Sequence, residues 1–337
     1  MISRYDNYDL SRQNTFRMKV SCRCYIEYGS IEDLKGLDFD SLPQPVISIG
    51  EGSNLLFTGD FPGTVLRSRI DYIKYFDVGA DTVPLAVGAG VNWDELVEKT
   101  CNDGLWGLEN LSLIPGTAGA AAVQNIGAYG VEAKDVIVGV TCFDITTREK
   151  TAFKQEQCRY GYRDSIFKDP QYKGRYIVTG VLLRLSREPR PQIAYGALKQ
   201  VFAEEAPQSP MQVREAIIRI RREKLPDPQE IGSAGSFFKN PVVSASQFLK
   251  ISEGYENVPH YVLEGGFIKI PAAWMIEQCG FKGAVRGGAA VYAKQPLVIV
   301  NNSGEATSQE IISLEQEVID AVQKRFGVQL HPEVEHL

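Results

Sequence analysis

Residues 111–130 read LSLIPGTAGAAAVQNIGAYG, a stretch in which small side chains dominate. Gln124, Asn125 and Tyr129 are its larger polar side chains. Glycines such as Gly116 and Gly127 let the backbone approach a large flat partner closely, and the two amides can donate and accept hydrogen bonds along the edge of that partner. A tightly packed turn between domains is the alternative reading.

A second loop of similar character lies upstream, in ISIGEGSNLLF at residues 47–57. Turn residues that follow a buried strand expose successive backbone N–H groups, which suit a pyrophosphate. A simple turn is the other interpretation. The chain has neither a G-x-G-x-x-G opening a helix nor a G-x-x-x-x-G-K-[ST], so a dinucleotide would not be held in Rossmann or P-loop fashion. The loop residues concerned are Gly50, Glu51, Gly52, Ser53 and Asn54.

The composition narrows the class of protein. The chain has 337 residues, of which 44% are apolar and 23% charged, as is ordinary for a globular protein of two or three domains. A net charge of −6 argues against a general nucleic-acid surface but allows one phosphorylated ligand in a local pocket. No apolar run reaches the ~18 residues of a membrane span, and the N-terminus lacks a signal-peptide core. We therefore expect a cytoplasmic protein without membrane association.

Cysteine and histidine usage predicts no metal site. The six cysteines are scattered, and Cys22 and Cys24 occupy alternate positions of a predicted strand, which point the same way. With no C-x-x-C and only three histidines, a structural zinc site is not expected.

Periodicity predicts an α+β fold, because strands and helices mix without regular alternation. The breaker LPDP at 225–228 indicates a domain boundary. Arg219, Arg221 and Arg222, just before it, are expected on a solvated helix face. Strands are predicted at 20–28, 46–49, 63–70, 136–145 and 177–185, and helices at 92–103, 211–224 and 307–326.

The helix at 307–326 carries the clearest signals. Thr307 and Glu310 form a capping-box pattern, and Gly327 is placed to end the helix. One face of this helix is apolar and is expected in a core. Its members are Ile311, Leu314, Val318, Val322 and Phe326.

The chain resembles the UDP-N-acetylenolpyruvoylglucosamine reductase family from about Asn14 to Glu333. Six motifs carry the resemblance in order: GEGSN (50–54), PGTAGAAAVQNIGAYG (115–130), YGYRDSIFK (160–168), KLPDP (224–228), GSAGSFFKNP (232–241) and PEVE (332–335). The resemblance implies a two-subdomain FAD-binding fold of the vanillyl-alcohol-oxidase type with a third, α+β substrate-binding domain. The implied divisions are two FAD-binding subdomains at 1–70 and 71–224, the substrate domain at 225–326, and a segment returning to the active site at 327–337.

The family's reaction implies two cofactors. NADPH reduces a bound FAD, which then reduces UDP-N-acetylglucosamine enolpyruvate to UDP-N-acetylmuramate for peptidoglycan. The first loop would hold the FAD pyrophosphate through Gly50, Glu51, Gly52, Ser53 and Asn54. The second would line the isoalloxazine and ribityl chain through Ile114, Pro115, Gly116, Thr117, Gln124, Asn125 and Gly127. The histidines lie outside these loops, so a non-covalent flavin is expected.

The resemblance also implies catalytic residues. Arg163 matches the family's catalytic arginine, whose guanidinium fork suits a carboxylate on which charge develops. Ser236 matches the proton donor, a role that needs donor-to-acceptor reach of about 2.6–3.2 Å. Glu333 matches the glutamate that helps to stabilise the enol-type intermediate. From the residues alone, Arg163 would be a surface ion pair, Ser236 a turn residue and Glu333 a solvated tail charge.

Positions that match substrate contacts complete the expected site. Lys224 matches a phosphate-binding lysine, and Tyr162 could contact the diphosphate or the nicotinamide. The others are Tyr195, Asn240, Tyr261 and Gln295, of which Tyr195 matches the loop tyrosine of the family's longer subclass. Packing at a core edge is the alternative for such side chains. The chain departs from the family pattern at Arg17, Ala122 and Ala197, of which the last concerns the pose of the Tyr195 loop.

Two other functions fit parts of the same pattern. A carbohydrate or alcohol oxidase could use the same flavin fold, although many of those enzymes attach FAD to a histidine. A non-catalytic nucleotide-sugar binding module would be expected to lack a catalytic residue, whereas all three matching positions are occupied here. For the reductase we expect a monomer that binds small molecules, namely the enolpyruvyl sugar and NADPH, and no nucleic acid.

Overall fold

The computed structural model describes residues 2–76, 79 and 81–337. The strands in chain order are β1 (Ser3–Asp9), β2 (Ser21–Tyr28), β3 (Val46–Ile49), β4 (Leu55–Leu56), β5 (Phe61–Ser68), β6 (Ile73–Tyr75), β7 (Thr82–Gly88), β8 (Gly127–Ala128), β9 (Val131–Glu132), β10 (Ile137–Asp144), β11 (Glu149–Lys154), β12 (Tyr176–Ser186), β13 (Gly232–Ser233), β14 (Val242–Val243), β15 (Tyr261–Val262), β16 (Ile268–Lys269), β17 (Val285–Arg286), β18 (Ala289–Val291), β19 (Ile299–Asn301) and β20 (Glu335–His336). The α-helices are α1 (Ile31–Lys35), α2 (Trp93–Asn102), α3 (Ala118–Gln124), α4 (Gly196–Val201), α5 (Pro210–Lys224), α6 (Ala245–Ser252), α7 (Ala272–Gln278) and α8 (Ser308–Phe326). The α+β class predicted from the sequence is confirmed.

The chain forms two compact units that each draw on separate segments. The first unit comprises Met1–Tyr8, Ser21–Glu51 and Phe61–Arg222, and the second comprises Asp9–Val20, Gly52–Asp60 and Glu223–Leu337.

The first unit is built on two sheets. One has the order β1-β2-β5-β3, with β5 parallel to both β2 and β3. The other is antiparallel, with the order β11-β10-β12-β7-β6. Along β12, buried Leu183 and Leu185 alternate with exposed Leu182 and Arg184, so one face of this sheet packs into a core with α2 and α3. The predicted strands at 20–28, 46–49, 136–145 and 177–185 are thus confirmed as β2, β3, β10 and β12.

The second unit is covered by α8. This helix packs on β18 and β19 of an antiparallel sheet with the order β13-β19-β18-β17. The predicted capping box is present, and Gly327 ends the helix with a φ of 64°. The predicted apolar face is buried, as Ile311, Leu314, Val318, Val322 and Phe326 all lie in the core. The unit also contains the antiparallel sheet β14-β16-β15 and the parallel pair β4–β20.

Helix α3 lies where the sequence analysis predicted a loop. The stretch around 114–127 was interpreted as a loop, but α3 occupies its centre. Thr117 caps α3 by accepting a hydrogen bond from the Ala120 N–H at 3.4 Å, and Asn125 ends it in the left-handed conformation, with a φ of 44°. A run of alanines between these two caps favours a helix despite Gly119. None of the helices in the described ranges has the length and apolarity needed to cross a bilayer.

An ion pair fixes α5 against α2 within the first unit. Arg214 is only 4% exposed, and its Nη1 and Nη2 lie 2.5 and 3.0 Å from Oδ1 and Oδ2 of Asp94. The Leu113 N–H donates to the same carboxylate at 2.5 Å. Burial alone would raise the pKa of the Asp94 carboxyl, but the hydrogen bonds from Arg214 and Leu113 outweigh burial and hold that pKa below its usual value.

We therefore expect Arg214→Leu to lower the free energy of unfolding by about 3 kcal/mol, because it leaves the Asp94 carboxylate without its main partner. The measurement is urea unfolding at pH 7. Arg219→Leu, on the exposed face of the same helix, is the matched control and should change stability by no more than about 0.5 kcal/mol.

The same pair predicts a pH dependence. Because the Asp94 pKa is lowered in the folded chain, the pair stabilises the fold above the unfolded carboxyl value of about 4 and loses that contribution as pH falls through the folded value. The difference between the wild type and Arg214→Leu should therefore shrink in acid. Equal losses for both leucine variants would contradict this account.

Candidate active site

In the first unit, Arg163 lies in a tight turn. The turn is closed by hydrogen bonds from the Gly161 N–H to the Asp164 carbonyl, at 3.0 Å, and from the Asp164 N–H to the Gly161 carbonyl, at 3.2 Å. Arg163 adopts a φ of 54°, a left-handed conformation that few residues other than glycine adopt. Its guanidinium lies 5.3 Å from the ring centroid of Tyr162. The turn therefore places Tyr162 and Arg163 together.

The Arg163 guanidinium lies over the backbone that follows α3. Its Nη2 donates to the Gly127 carbonyl at 2.5 Å. A Cβ atom at Gly127 would lie 2.9 Å from Arg163 Nη1, so a larger residue would displace the guanidinium. This contact brings the predicted catalytic arginine beside a residue predicted to line the flavin.

The two loops predicted to hold the flavin also meet within the first unit. A Cβ atom at Gly50 would lie 2.9 Å from the Cβ of Ala120, so the loop packs tightly on α3. Glu51 accepts hydrogen bonds from Asn92 Nδ2 at 2.8 Å and from the Gly116 N–H at 2.9 Å. The Glu51 carboxylate thus joins the first loop to the second. No local signal in the sequence indicates the bond between Asn92 and Glu51.

Asn125 differs from the expectation that its amide lines the edge of a flat ligand. The residue is fully buried, its Nδ2 donates to the Gly161 carbonyl at 2.8 Å, and its Oδ1 accepts from the Lys134 N–H at 3.0 Å. Its left-handed backbone at the end of α3 turns the amide into the protein. Gln124 accepts a hydrogen bond from Lys168 Nζ at 2.9 Å.

Arg221 was expected on a solvated helix face, and this expectation is wrong. Its Nε is buried and has no hydrogen-bond partner in the described part of the chain. Burial lowers the pKa of Arg221, although a hydrogen bond with the Tyr129 side chain opposes that shift. The sequence does not indicate this inward position, because Arg221 lies in a run of charged residues that is typical of a solvated helix face.

In the second unit, the segments that carry Ser236 and Glu333 pair with each other. The Glu333 N–H donates to the Phe237 carbonyl at 2.8 Å, and Phe238 bridges to Pro332. Phe237 and Phe238 are fully buried and anchor the segment, while Ser236 is half-buried. The two segments that carry these predicted catalytic residues, which are distant in sequence, are therefore paired through their main chains.

Asn54, in the second half of the first loop, contacts the segment that carries Glu333. Its Nδ2 donates to the Glu333 carbonyl at 3.1 Å, and its own carbonyl accepts from the Glu335 N–H at 3.0 Å. Gly52 has a φ of 65°, and a Cβ there would lie 2.1 Å from the Gln13 carbonyl oxygen, so only glycine fits. Asn54 and Glu333 thus occupy one site in the second unit.

The first loop contains one residue in the left-handed conformation, Gly52. A left-handed residue such as Gly52 within a turn is the conformation that gathers backbone N–H groups into an anion-binding concavity. Glu51, the acidic side chain of this loop, is directed to the donors of Asn92 and Gly116.

The positions matched to substrate contacts are distributed over both units. In the first unit, Tyr195 is 39% exposed and stands edge-on to Tyr129, with centroids 6.5 Å apart. In the second, Asn240 Oδ1 accepts from the Ala272 N–H at 2.9 Å, and Lys269 Nζ lies 5.6 Å from the ring centroid of exposed Tyr261. Lys224 is exposed and Gln295 is half-buried. Their roles toward a substrate stay predictions.

The structure accommodates two of the three departures from the family pattern, at Arg17 and Ala122. Arg17 stands where glycine is frequent and adopts a φ of 59°, the region that glycine favours. Its Nη1 donates to the Glu230 carbonyl at 3.2 Å. Ala122 is fully buried in α3.

Known proteins are similar to this chain in sequence over nearly its whole length. A model of the UDP-N-acetylenolpyruvoylglucosamine reductase C-terminal domain matches residues 227–337. Proteins named UDP-N-acetylenolpyruvoylglucosamine reductase from Bacteroides fragilis (strain YCH46) and Porphyromonas gingivalis (strain ATCC BAA-308 / W83) are 45% and 44% identical, over 97% and 98% of this chain and 98% of each relative. The chain belongs to this family. An FAD-binding-domain model matches residues 39–148, so this member of the reductase family is a flavin-dependent oxidoreductase.

A solved structure supports the fold. The crystal structure of UDP-N-acetylenolpyruvylglucosamine reductase from Thermus caldophilus matches over 100% of this chain and 98% of that chain, with a TM-score of 0.68 and 24% identity. The resemblance and the flavin-binding fold predicted from the sequence are therefore confirmed. Membership of the reductase family favours neither the oxidase nor the non-catalytic binding module.

Proposed function

We propose that the chain reduces UDP-N-acetylglucosamine enolpyruvate to UDP-N-acetylmuramate in peptidoglycan precursor synthesis, with FAD as bound cofactor and NADPH as hydride donor. The observation that carries this proposal is 45% identity, over 97% of the chain, to a relative named for this reductase. Bound FAD would supply the two-electron redox chemistry of this reaction, and the residues of the chain would hold the cofactor and orient the substrate.

The cofactor would be held by the two loops that Glu51 joins. Gly52, Ser53 and Asn54 would contribute to the pyrophosphate site, with Gly50 and Glu51 setting the course of the loop. Asn125 would contribute by fixing the end of α3, since its side chain bonds the protein. The second loop would contribute Ile114, Pro115, Gly116, Thr117, Gln124 and Gly127.

Arg163 would bind the carboxylate of the enolpyruvyl group. Hydride arrival at one carbon of the double bond builds negative charge on the neighbouring carbon and on this carboxylate. A guanidinium held before the reaction begins stabilises that charge without reorganising. Its support from Gly127 and its fixed turn are consistent with this role.

Ser236 would give its proton to the carbon on which charge develops, and Glu333 would help to stabilise the intermediate. A hydroxyl is a weak acid, so protonation by serine requires a strongly basic carbon and close approach. The main-chain bond between Glu333 and Phe237, the residue after Ser236, holds the two segments in register. This pairing supports a shared role.

The remaining assignments complete the proposal. We assign the UDP-sugar contacts to Tyr162, Tyr195, Lys224, Asn240, Tyr261 and Gln295. Residues 1–70 and 71–224 would serve flavin binding and residues 225–326 substrate binding, with 327–337 returning Glu333 to the site. The protein would act as a cytoplasmic monomer without membrane association.

An anaerobic visible spectrum of the purified protein tests the reaction. The flavin band should bleach with NADPH and return when UDP-N-acetylglucosamine enolpyruvate is added. A flavin that bleaches and never recovers would point to another acceptor. Absence of flavin after reconstitution with FAD would overturn the proposal. Trichloroacetic acid precipitation should leave the yellow colour in solution, because the flavin is expected to be non-covalent.

A further inference from the structure

The turn that carries Arg163 is attached to the end of α3 at several points. Ser165 Oγ donates to the Val123 carbonyl at 2.6 Å, and Asn125 Nδ2 donates to the Gly161 carbonyl at 2.8 Å. These bonds hold the residues that flank the Tyr162–Arg163 corner. The Gly161–Asp164 hydrogen bonds close the corner, and the left-handed backbone of Arg163 within it calls for a further support.

Lys168 supplies that support. Its Nζ donates to Gln124 Oε1 at 2.9 Å and to the Arg163 carbonyl at 3.0 Å. One ammonium group therefore joins the last residue of α3 to the main chain of the predicted catalytic arginine. Hydrogen bonds from a charged donor are stronger than those between neutral groups.

The contact acts on the peptide that orients Arg163. A left-handed conformation is unfavourable for a residue with a Cβ atom, so it persists only where surrounding contacts hold it. A change of φ or ψ at Arg163 would swing its carbonyl away from Lys168 and its side chain away from Gly127. The Lys168 bond and the guanidinium bond to Gly127 therefore favour the same backbone conformation.

We propose that Lys168 is a positioning residue, whose ammonium fixes the left-handed turn and so presents the Arg163 guanidinium to the substrate carboxylate. This inference rests on the proposed function, in which Arg163 serves the second half-reaction. Lys168 itself needs no contact with the reacting atoms, because it acts through the Arg163 carbonyl.

The test is a double-mutant cycle of Lys168→Met and Arg163→Lys, with the two half-reactions followed separately by stopped-flow absorbance. Lys168→Met should slow flavin reoxidation by the enolpyruvyl sugar by about 10- to 100-fold, as expected for a misplaced catalytic group. Flavin content and reduction by NADPH should change little. Lys150→Met, at an exposed position of β11, is the matched control and should behave as the wild type.

The cycle separates positioning from other roles. If Lys168 acts through Arg163, adding Lys168→Met to Arg163→Lys should cause little further loss, because contributions made through one group are not additive. Multiplied losses, or equal slowing of both half-reactions, would overturn the proposal. Should Lys168→Met not fold, Lys168→Arg, which keeps the charge, enters the same cycle with a smaller expected loss.

A second readout needs no turnover. A crystal structure of Lys168→Met should show Arg163 leaving the left-handed region and its guanidinium moving from Gly127. An unchanged Arg163 in that structure would overturn the positioning role even if the enzyme reaction is established. A wild-type flavin that never recovers its colour with the sugar would instead count against the proposed function, and the crystal structure would still decide the role of Lys168.

Discussion

Replacing Ser236 with alanine should leave flavin reduction by NADPH nearly unchanged and slow the second half-reaction by about 10²- to 10⁴-fold, the usual contribution of a positioned acid. The reason is that only the second half-reaction needs a proton at carbon. The change removes one oxygen from a half-buried site whose neighbours, Phe237 and Phe238, remain anchored in the core. The main chain that pairs with Glu333 should therefore persist.

Stopped-flow rates of the two half-reactions measure this effect. Ser313→Ala removes a hydroxyl from an exposed position of α8 and serves as the control, with neither rate expected to change. Ser236→Cys retains a proton on the side chain and should recover part of the lost rate. Equal slowing of both half-reactions by Ser236→Ala would remove the serine from the proton-donor role.

Replacing Arg163 with lysine should slow flavin reoxidation by the enolpyruvyl sugar by about 10²- to 10³-fold. Lysine keeps the charge but lacks the planar fork that binds a carboxylate through two hydrogen bonds. It also cannot reproduce both the bond to Gly127 and the stacking over Tyr162. The rate at saturating sugar is the relevant measurement, because the lost interaction strengthens as charge develops.

Arg159→Lys provides a closely matched control. Arg159 precedes Arg163 by four residues, also has a positive φ, of 47°, and forms an exposed ion pair with Asp169 at 3.0 Å. Exposed pairs contribute little, so this variant should reoxidise its flavin at the wild-type rate. If Arg163→Lys also kept the wild-type rate, the carboxylate would have to be bound by another group.

The sequence predicts best those elements whose signals are local. The α8 helix follows from its capping box, its apolar face and its terminal glycine, and the structure places it within one residue of the expected start. The α3 helix could not be predicted in the same way, because short helices depend on tertiary contacts rather than on propensity. Its contact with Gly50 is of that kind.

The candidate site shows the same difference between what local motifs predict and what depends on tertiary contacts. Motifs predict Arg163, Ser236 and Glu333 as catalytic residues, but they do not predict how the chain supports these residues. Whether Arg221 faces solvent or the protein interior depends on burial, which a run of charged residues does not reveal. The bonds of Lys168 to Gln124 and Arg163 depend on how α3 meets a turn far along the chain.

The β4–β20 pair has a consequence for how the protein matures in the cell. Asn54 leaves the ribosome early, yet its partner Glu333 lies 279 residues further along the chain. At ~5–20 residues per second, translation leaves this strand without its partner for tens of seconds. The β4–β20 pair of the second unit therefore forms only after the segment around Glu333 has been made.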